Sequence, residues 1–301
     1  MVKKTITVFT PTFNRAYCLH RLYESLLRQT NSDFLWLIVD DGSSDNTGEL
    51  VNGWIMENRI EIEYVYKENG GMHTAHNAAY ERITTELNVC IDSDDYMPDN
   101  AIEKILSFWE QNKNEKYAGI IGLDQSVKGE IIGTKFSPEL KETTLSEYYA
   151  KGGKGDKKLV YRTDVINSVP PYPVFEGEKY VGLAYKYHLI DVCYKLLVLN
   201  KVLCIVDYQP DGSSMNMFKQ YWNNPKGFAF YRKTEMQLAP SVKRRFIEAV
   251  HYVSSSIIAQ NKSFYKESPQ KGLTLVAMPL GVLLYLFIKY KVTHNKNMNM
   301  K

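Results

Sequence analysis

Four cysteines in 301 residues, none of them in a C-x-x-C pair, are too few and too scattered for a disulfide framework or a structural zinc site. Cys18, Cys90, Cys193 and Cys204 are expected as buried free thiols of a reducing compartment, Cys90 and Cys204 within apolar strand-like runs. Net charge is also scarce. Against 34 acidic residues stand 37 basic ones, and a formal +3 gives no argument for nucleic acid as a partner. No uncharged apolar run reaches the ~20 residues of a spanning helix. The longest, Leu273 to Ile288, is broken by Pro279 and Gly281. Met1-Val2-Lys3-Lys4 leads directly into a strand, so no secretory leader is expected. Neither G-x-G-x-x-G nor G-x-x-x-x-G-K-[ST] occurs at a strand end, which weighs against dinucleotide and P-loop chemistry.

What is present is an ordinary globular composition, 44% hydrophobic and 24% charged, which excludes disorder, collagen and a multi-span membrane protein. Apolar runs at Thr5 to Phe9, Phe34 to Val39, Ile60 to Tyr66 and Leu87 to Ile91 read as strands. Stretches with helical spacing follow each one: Leu19 to Leu27, Leu50 to Ile55, His73 to Arg82 and Ile102 to Trp109. Such alternation predicts an α/β fold with a mostly parallel central sheet, and ligands then bind outside the carboxyl ends of the strands. Further along, Tyr117 to Leu123, Glu130 to Ile132 and part of Val198 to Val206 read as strands. Lys151 to Lys158 reads as a polar glycine-rich loop and Tyr180 to Leu197 as helical. Ser241 to Ile258 reads as an amphipathic helix with Val242, Phe246, Val250, Val253 and Ile257 on one stripe.

Two acidic clusters fall at predicted strand ends. Asp92-Ser93-Asp94-Asp95 brings three carboxylates into four residues, and their mutual repulsion is relieved by a hard divalent cation, Mg²⁺ or Mn²⁺. Such ions complete their shell with substrate phosphates, so the cluster points to a metal–diphosphate site. Asp40-Asp41-Gly42-Ser43-Ser44-Asp45 places carboxylates on a tight turn, where they can accept from an imide N–H or from ribose hydroxyls. Asp45 reads as the cap of the next helix.

Thr10-Pro11-Thr12-Phe13-Asn14-Arg15, Asp40-Asp41-Gly42-Ser43-Ser44-Asp45-Asn46-Thr47, Asn69-Gly70-Gly71 and Asp92-Ser93-Asp94-Asp95 together resemble the family-two glycosyltransferases of GT-A fold. The resemblance implies a Rossmann-like sheet flanked by helices, with a helical C-terminal extension. It implies a UDP-sugar donor and inverting transfer to a hydroxyl of a glycan or lipid-linked acceptor in bacterial surface polysaccharide synthesis. By match, Pro11, Phe13 and Arg15 line the base site and Asp41 reads uracil. Thr10, Asp40, Gly71, Asp92 and Ser93 complete the nucleotide-binding set. Asp92, Asp94 and Asp95 are the metal candidates, and Arg15, Lys67 and His73 are candidate positive charges near the phosphates. The family places its catalytic base in a Glu-Asp pair after the sheet. Here Glu178 matches the first position, Lys179 replaces the Asp, and Glu176 is the next candidate.

The boundaries expected are 1–225 for the catalytic domain, 226–270 for a helical extension and 271–301 for an apolar, basic tail. That tail has no acid, and its lysines beside apolar residues suit peripheral contact with anionic lipid through 272–291, at the inner face of a cell membrane. A helix packed on the protein's own core, or a homo-oligomer contact, is the other reading. Two alternative functions stand beside the transferase: a nucleotidyltransferase, and a sugar-nucleotide-binding protein without catalysis in a membrane assembly.

Overall fold

A computed structural model describes residues 3–207 and 217–298, with side chains as far as His294. The strands are β1 (Ile6–Thr12), β2 (Phe34–Asp40), β3 (Ile62–Tyr66), β4 (Leu87–Cys90), β5 (Tyr117–Ser126), β6 (Glu142–Thr143), β7 (Lys157–Arg162) and β8 (Lys195–Val206). Helices α1 (Ala16–Leu27), α2 (Thr47–Glu57), α3 (Met72–Arg82) and α4 (Ala101–Asn112) connect the first strands. The shorter α5 (Leu145–Ala150), α6 (Thr163–Ser168) and α7 (Ala184–Ile190) follow. Beyond the sheet come α8 (Met217–Asn223), α9 (Pro225–Leu238), α10 (Val242–Ile258), α11 (Phe264–Glu267) and α12 (Lys271–Met298).

The eight strands of the described residues form one sheet in the order β3-β2-β1-β4-β7-β5-β8-β6. From β3 to β4 the pairing is parallel. β1 lies between β2 and β4 and is buried along its whole length, which is why it reads as a continuous apolar run. β3, at the edge, is only partly buried. Beneath this half, Tyr23, Trp36 and Trp54 stack, with centroids 4.3 Å apart between Tyr23 and Trp54 and 5.8 Å apart between the two tryptophans. β7 enters antiparallel to both β4 and β5. β5 therefore runs in the same direction as β4, and β8 pairs parallel with β5. The carboxyl ends of β1, β2, β4, β5 and β8 all reach one edge, and the first residues of β7 arrive there too.

Contacts divide the chain into two compact units, Met1–Pro171 with Leu189–Gln209, and Tyr172–His188 with Pro210–Lys301. This division differs from boundaries at 225 and 270, because 172–188 packs with the helices after 217 rather than with the sheet. Within the second unit, Ala229, Met236, Ala249, Tyr252 and Ala277 form a small core.

Several expectations change. Only Ala184–Ile190 of the stretch 180–197 is helical, and Lys195 already begins β8. Pairing with β5 on one side and β6 on the other overrides the local leucine-rich spacing. Glu130 to Ile132 contributes one isolated bridge, Ile131 to Gln125, in place of a strand. β7 lies where the glycine-rich loop ends, and its paired lysines hide the alternation. The Lys157 ammonium is held by the carbonyls of Ile132 and Lys154 at 3.0 Å, Asp156 at 3.1 Å and Gly155 at 3.4 Å. Val242 is 70% exposed, so the buried face of α10 is Ala249, Tyr252 and Val253. Cys193 is exposed and Cys90 only partly buried, although all four thiols are free.

The apolar run near the C-terminus is not interrupted. α12 continues through Pro279, and Lys271–His294 is long and apolar enough by length and composition to cross a membrane. Gly281 lets α12 approach α10: a Cβ there would stand 2.5 Å from the Cβ of Val253. Opposite that contact, Val276, Leu280, Leu283, Leu286, Phe287 and Tyr290 are 46–68% exposed. Lys301 lies outside the described residues, and Lys296 outside those whose side chains are described.

Candidate active site

The sheet edge gathers four turns. The first follows β1. Asn14 adopts φ +53°, a left-handed conformation that asparagine tolerates better than most residues. Its N–H donates to Ser43 Oγ at 2.8 Å, and its Oδ1 accepts from the Ser44 N–H at 2.8 Å. Asn14 thereby ties the first turn to the second. Asp45 supports the same junction, accepting from the N–H of Ala16 at 3.1 Å and from the N–H and hydroxyl of Thr47. Thr10 and Pro11 are buried, Arg15 is partly buried and Phe13 is 47% exposed.

The second turn is held from within. Asp40 is 1% exposed, and its carboxylate accepts from the Ser43 N–H at 2.7 Å and the Tyr64 hydroxyl at 2.6 Å. Burial and the Asp40 carboxylate raise the pKa of Tyr64 above the usual phenol value. Asp41 organises the third turn, Asn69-Gly70-Gly71. One of its oxygens accepts from Lys67 Nζ at 2.6 Å and the Gly70 N–H at 3.0 Å. The other accepts from the Gly71 N–H at 2.7 Å and Asn69 Nδ2 at 3.1 Å. Gly42, at φ +85°, packs so closely that an added Cβ would lie 2.8 Å from the Asn69 nitrogen. All four lone-pair directions of Asp41 are occupied. A uracil imide would have to share an oxygen with a glycine amide.

The candidate phosphate cations fare differently from expectation. Lys67 is committed to Asp41, the Glu68 carbonyl and Thr74 Oγ1. His73 is 2% exposed, neither ring nitrogen has a hydrogen-bond partner among the described residues, and burial lowers its pKa to about 4. It is a neutral donor–acceptor ring at pH 7, not a positive charge.

The acidic turn after β4 divides its carboxylates. Asp95 points inward, 5% exposed, and accepts from the Asp207 N–H at 3.1 Å and the Cys204 thiol at 3.7 Å. Burial raises its pKa to about 7 despite the nearby Lys158. Ser93 is buried as well. Asp92 and Asp94 remain partly exposed. Among the described residues the Asp92 carboxylate meets only the weak Cys90 thiol donor at 3.8 Å, and the Asp94 carboxylate accepts from no other residue. Burial and then the Asp92 charge raise the pKa of Asp94. These are two open, oxygen-only ligands, the donor type that Mg²⁺ or Mn²⁺ selects. Among the described residues no group of three His, Cys, Asp or Glu side chains could hold a metal ion. The pair fits a cation whose shell is completed by substrate oxygens and water.

Sequence reasoning missed the cations behind this turn. Arg21 on α1 donates to the Asp94 carbonyl at 3.1 Å and pairs with Asp207. Lys158 on β7 donates to the Cys90 carbonyl at 3.3 Å. Burial opposes the Lys158 charge, yet Cys204, Asp124, Asp95 and Asp92 outweigh it and raise its pKa well above the usual lysine value. No local signal marks either residue, because antiparallel β7 is what brings Lys158 to this edge.

In the second unit, both Glu178 oxygens are engaged, by the N–H of Lys226 at 2.9 Å and of Gly227 at 2.8 Å, at the start of α9. Glu178 is 9% exposed, whereas Glu176 and Lys179 are exposed. Tyr221 and Trp222 pack on Phe228 and Tyr285.

Comparison with known proteins agrees with this geometry. A glycosyltransferase of Nostoc sp., itself uncharacterised, is 27% identical over 174 residues, which cover 55% of this chain and 53% of the relative. The match thus spans about half the length of that relative, and smaller shares of others. Among solved structures, residues 1–349 of Staphylococcus aureus TarS in complex with UDP-GlcNAc superpose with a TM-score of 0.62 at 15% identity, over 97% of this chain and 92% of that one. The mannosyltransferase PcManGT of Pyrobaculum calidifontis, in complex with GDP-Man and Mn²⁺, gives 0.53 at 12% identity, over 95% and 88%. Both share the GT-A fold. The profile described as Glycosyl transferase family 2 matches residues 7–168, more than half of the chain and all four turns of the sheet edge, and the chain belongs to that family.

Proposed function

We propose that the chain is an inverting glycosyltransferase that moves a sugar from a UDP-sugar to a hydroxyl of a glycan or lipid-linked acceptor, with Mg²⁺ or Mn²⁺ bound. The observation that carries this reading is the pair of open carboxylates, Asp92 and Asp94, at the carboxyl edge of a sheet whose neighbouring turns are tied together by hydrogen bonds. The UDP-GlcNAc held by TarS and the Mn²⁺ held by PcManGT support the choice of donor and ion. Asp92 and Asp94 would hold the cation, which when bound supplies positive charge to the leaving diphosphate. Thr10, Pro11, Phe13 and Arg15 contribute the first wall of the nucleotide site. Asp40 and Asp41 act on the nucleotide indirectly, by fixing the turns whose amides and side chains meet it. Asp95 and Ser93 anchor the acidic turn from within.

Inverting transfer needs a base that takes the proton from the acceptor hydroxyl. The engaged oxygens of Glu178 favour Glu176 as that base, with Glu178 anchoring the loop to α9. Glu176→Gln should lose sugar transfer with UDP binding intact, while Glu178→Gln should lower thermal stability.

The functional test is a panel of UDP- and GDP-sugars with Mn²⁺, scored for nucleotide release. UDP release that disappears in Asp94→Ala supports the proposal. Pyrophosphate release would indicate a nucleotidyltransferase, and binding without any release a non-catalytic sugar-nucleotide-binding protein.

The proposed place of work is the inner face of a cell membrane, with α12 lying on anionic lipid. Its exposed apolar face is flanked by Lys271, Lys289 and Lys291. Flotation with phosphatidylglycerol vesicles, lost in Leu283→Glu/Phe287→Glu, tests this. Dimerisation lost in the same variant would assign the face to a second copy instead.

A further inference from the structure

The acidic turn is gripped from two sides, and both grips are on its main chain. Arg21 donates to the carbonyl of Asp94, and Lys158 donates to the carbonyl of Cys90, two residues before Asp92. Neither cation bonds to the Asp92 or Asp94 side chain, so both carboxylates stay open. Lys158 arrives on β7, which runs against both of its neighbours, with Val160 opposite Val89 of β4 and Lys158 itself opposite Gly122 of β5. On β5 stands Asp124, 2% exposed, with Oδ1 lacking any hydrogen-bond partner among the described residues. A buried carboxylate with an unfilled oxygen is tolerated only where a positive charge is near. Asp95, 5% exposed, is a second buried carboxylate whose charge acts on Lys158.

We propose that Lys158 is the resident counter-cation of the acidic turn, a positioning residue that keeps residues 92–95 folded with Asp92 and Asp94 open before any divalent ion arrives. The inference rests on the metal reading of Asp92 and Asp94. It has a consequence for loading. A fixed ammonium repels a second cation, so the bare protein binds Mn²⁺ weakly. The diphosphate, which brings both negative charge and the remaining oxygen ligands, then carries the ion in with it.

The experiment compares wild type, Lys158→Met, Lys158→Arg, Asp124→Asn and the double variant Asp124→Asn/Lys158→Met. Thermal melts are recorded with chelator and with saturating Mn²⁺, and Mn²⁺ is titrated without nucleotide by the electron paramagnetic resonance of the free ion. Lys158→Met should melt several degrees lower in chelator, recover most of that loss with Mn²⁺, and bind Mn²⁺ at least about threefold tighter than wild type. Lys158→Arg should match wild type, and Asp124→Asn should offset the loss in the double variant. An equal loss with and without Mn²⁺, an unchanged Mn²⁺ affinity and an additive double variant would overturn the proposal. An insoluble Lys158→Met that Asp124→Asn makes soluble supports it, and one that stays insoluble overturns it. Failure of the metal reading shows separately, as no Mn²⁺ binding by wild type even with UDP. The chelator melts of the single and double variants then decide the counter-cation role alone.

Discussion

Replacing Asp41 by Asn separates scaffold from reader at the nucleotide turn. Asp41 is 6% exposed at its side chain, and its partner Lys67 is 24% exposed. The amide keeps one acceptor oxygen and turns an NH₂ group toward donors, either Lys67 or the Gly71 and Asn69 nitrogens. Removing one member of a buried pair costs about 3–5 kcal/mol. Lys67 keeps the Glu68 carbonyl and Thr74 hydroxyl as acceptors and retains some contact with water, which puts the expected loss near the bottom of that range, about 3 kcal/mol. For a unit of this size the melting temperature should fall by roughly 6–12 °C. Lys67→Met alone should cost less. The double variant should be more stable than the sum of single losses predicts by about 1 kcal/mol or more, because the two residues touch. UDP binding, followed by calorimetry, should weaken together with stability. A variant that melts within 1 °C of wild type yet no longer binds UDP would refute the reasoning. Asp41 would then read the base directly and the glycine turn would stand without it.

Three further outcomes are expected. His73 and His251 both have pKa values lowered to about 4 by burial, with Arg232 and Arg244 adding to the effect at His251. The unfolded chain therefore takes up protons first as pH falls. The stability these rings contribute is full above pH ~6.5 and is lost between there and pH ~4, on the order of 2 kcal/mol for the nearly enclosed His73. Urea titrations at pH 7 and pH 4.5 should show the loss, reduced in His73→Gln. Tyr64→Phe removes the hydroxyl donor to buried Asp40 and should cost about 1–3 kcal/mol, read as a lower urea midpoint. Gly281→Leu forces α12 away from Val253 and should cost about 1–3 kcal/mol by overpacking, seen as faster proteolysis within α12.

Much of the candidate site is legible in the sequence because it is built from local devices. Carboxylates at strand ends and a glycine at a tight turn are each visible in a few consecutive residues. The parallel pairing of β1 to β4 follows from the alternation of their apolar runs with stretches of helical spacing, since a helix returns each strand to the same end of the sheet. Asp92 and Asp94 could be named for the same reason. What each neighbouring carboxylate does could not, because Asp40, Asp41 and Asp95 differ only in the partners that distant residues bring: Tyr64, Lys67 with the glycine amides, and Asp207 with Cys204.

The amino-acid order by itself determined the class of sheet and the strand ends at which the acidic turns stand, since periodicity and turn chemistry act over a few residues. Only the folded chain decided that two lysines form the start of a strand, that His73 is neutral and that Glu178 is tied to a helix. Each of those depends on burial and on a partner 45 or more positions away or packed from another element, and electrostatic and desolvation energies follow distance in space, not position along the chain.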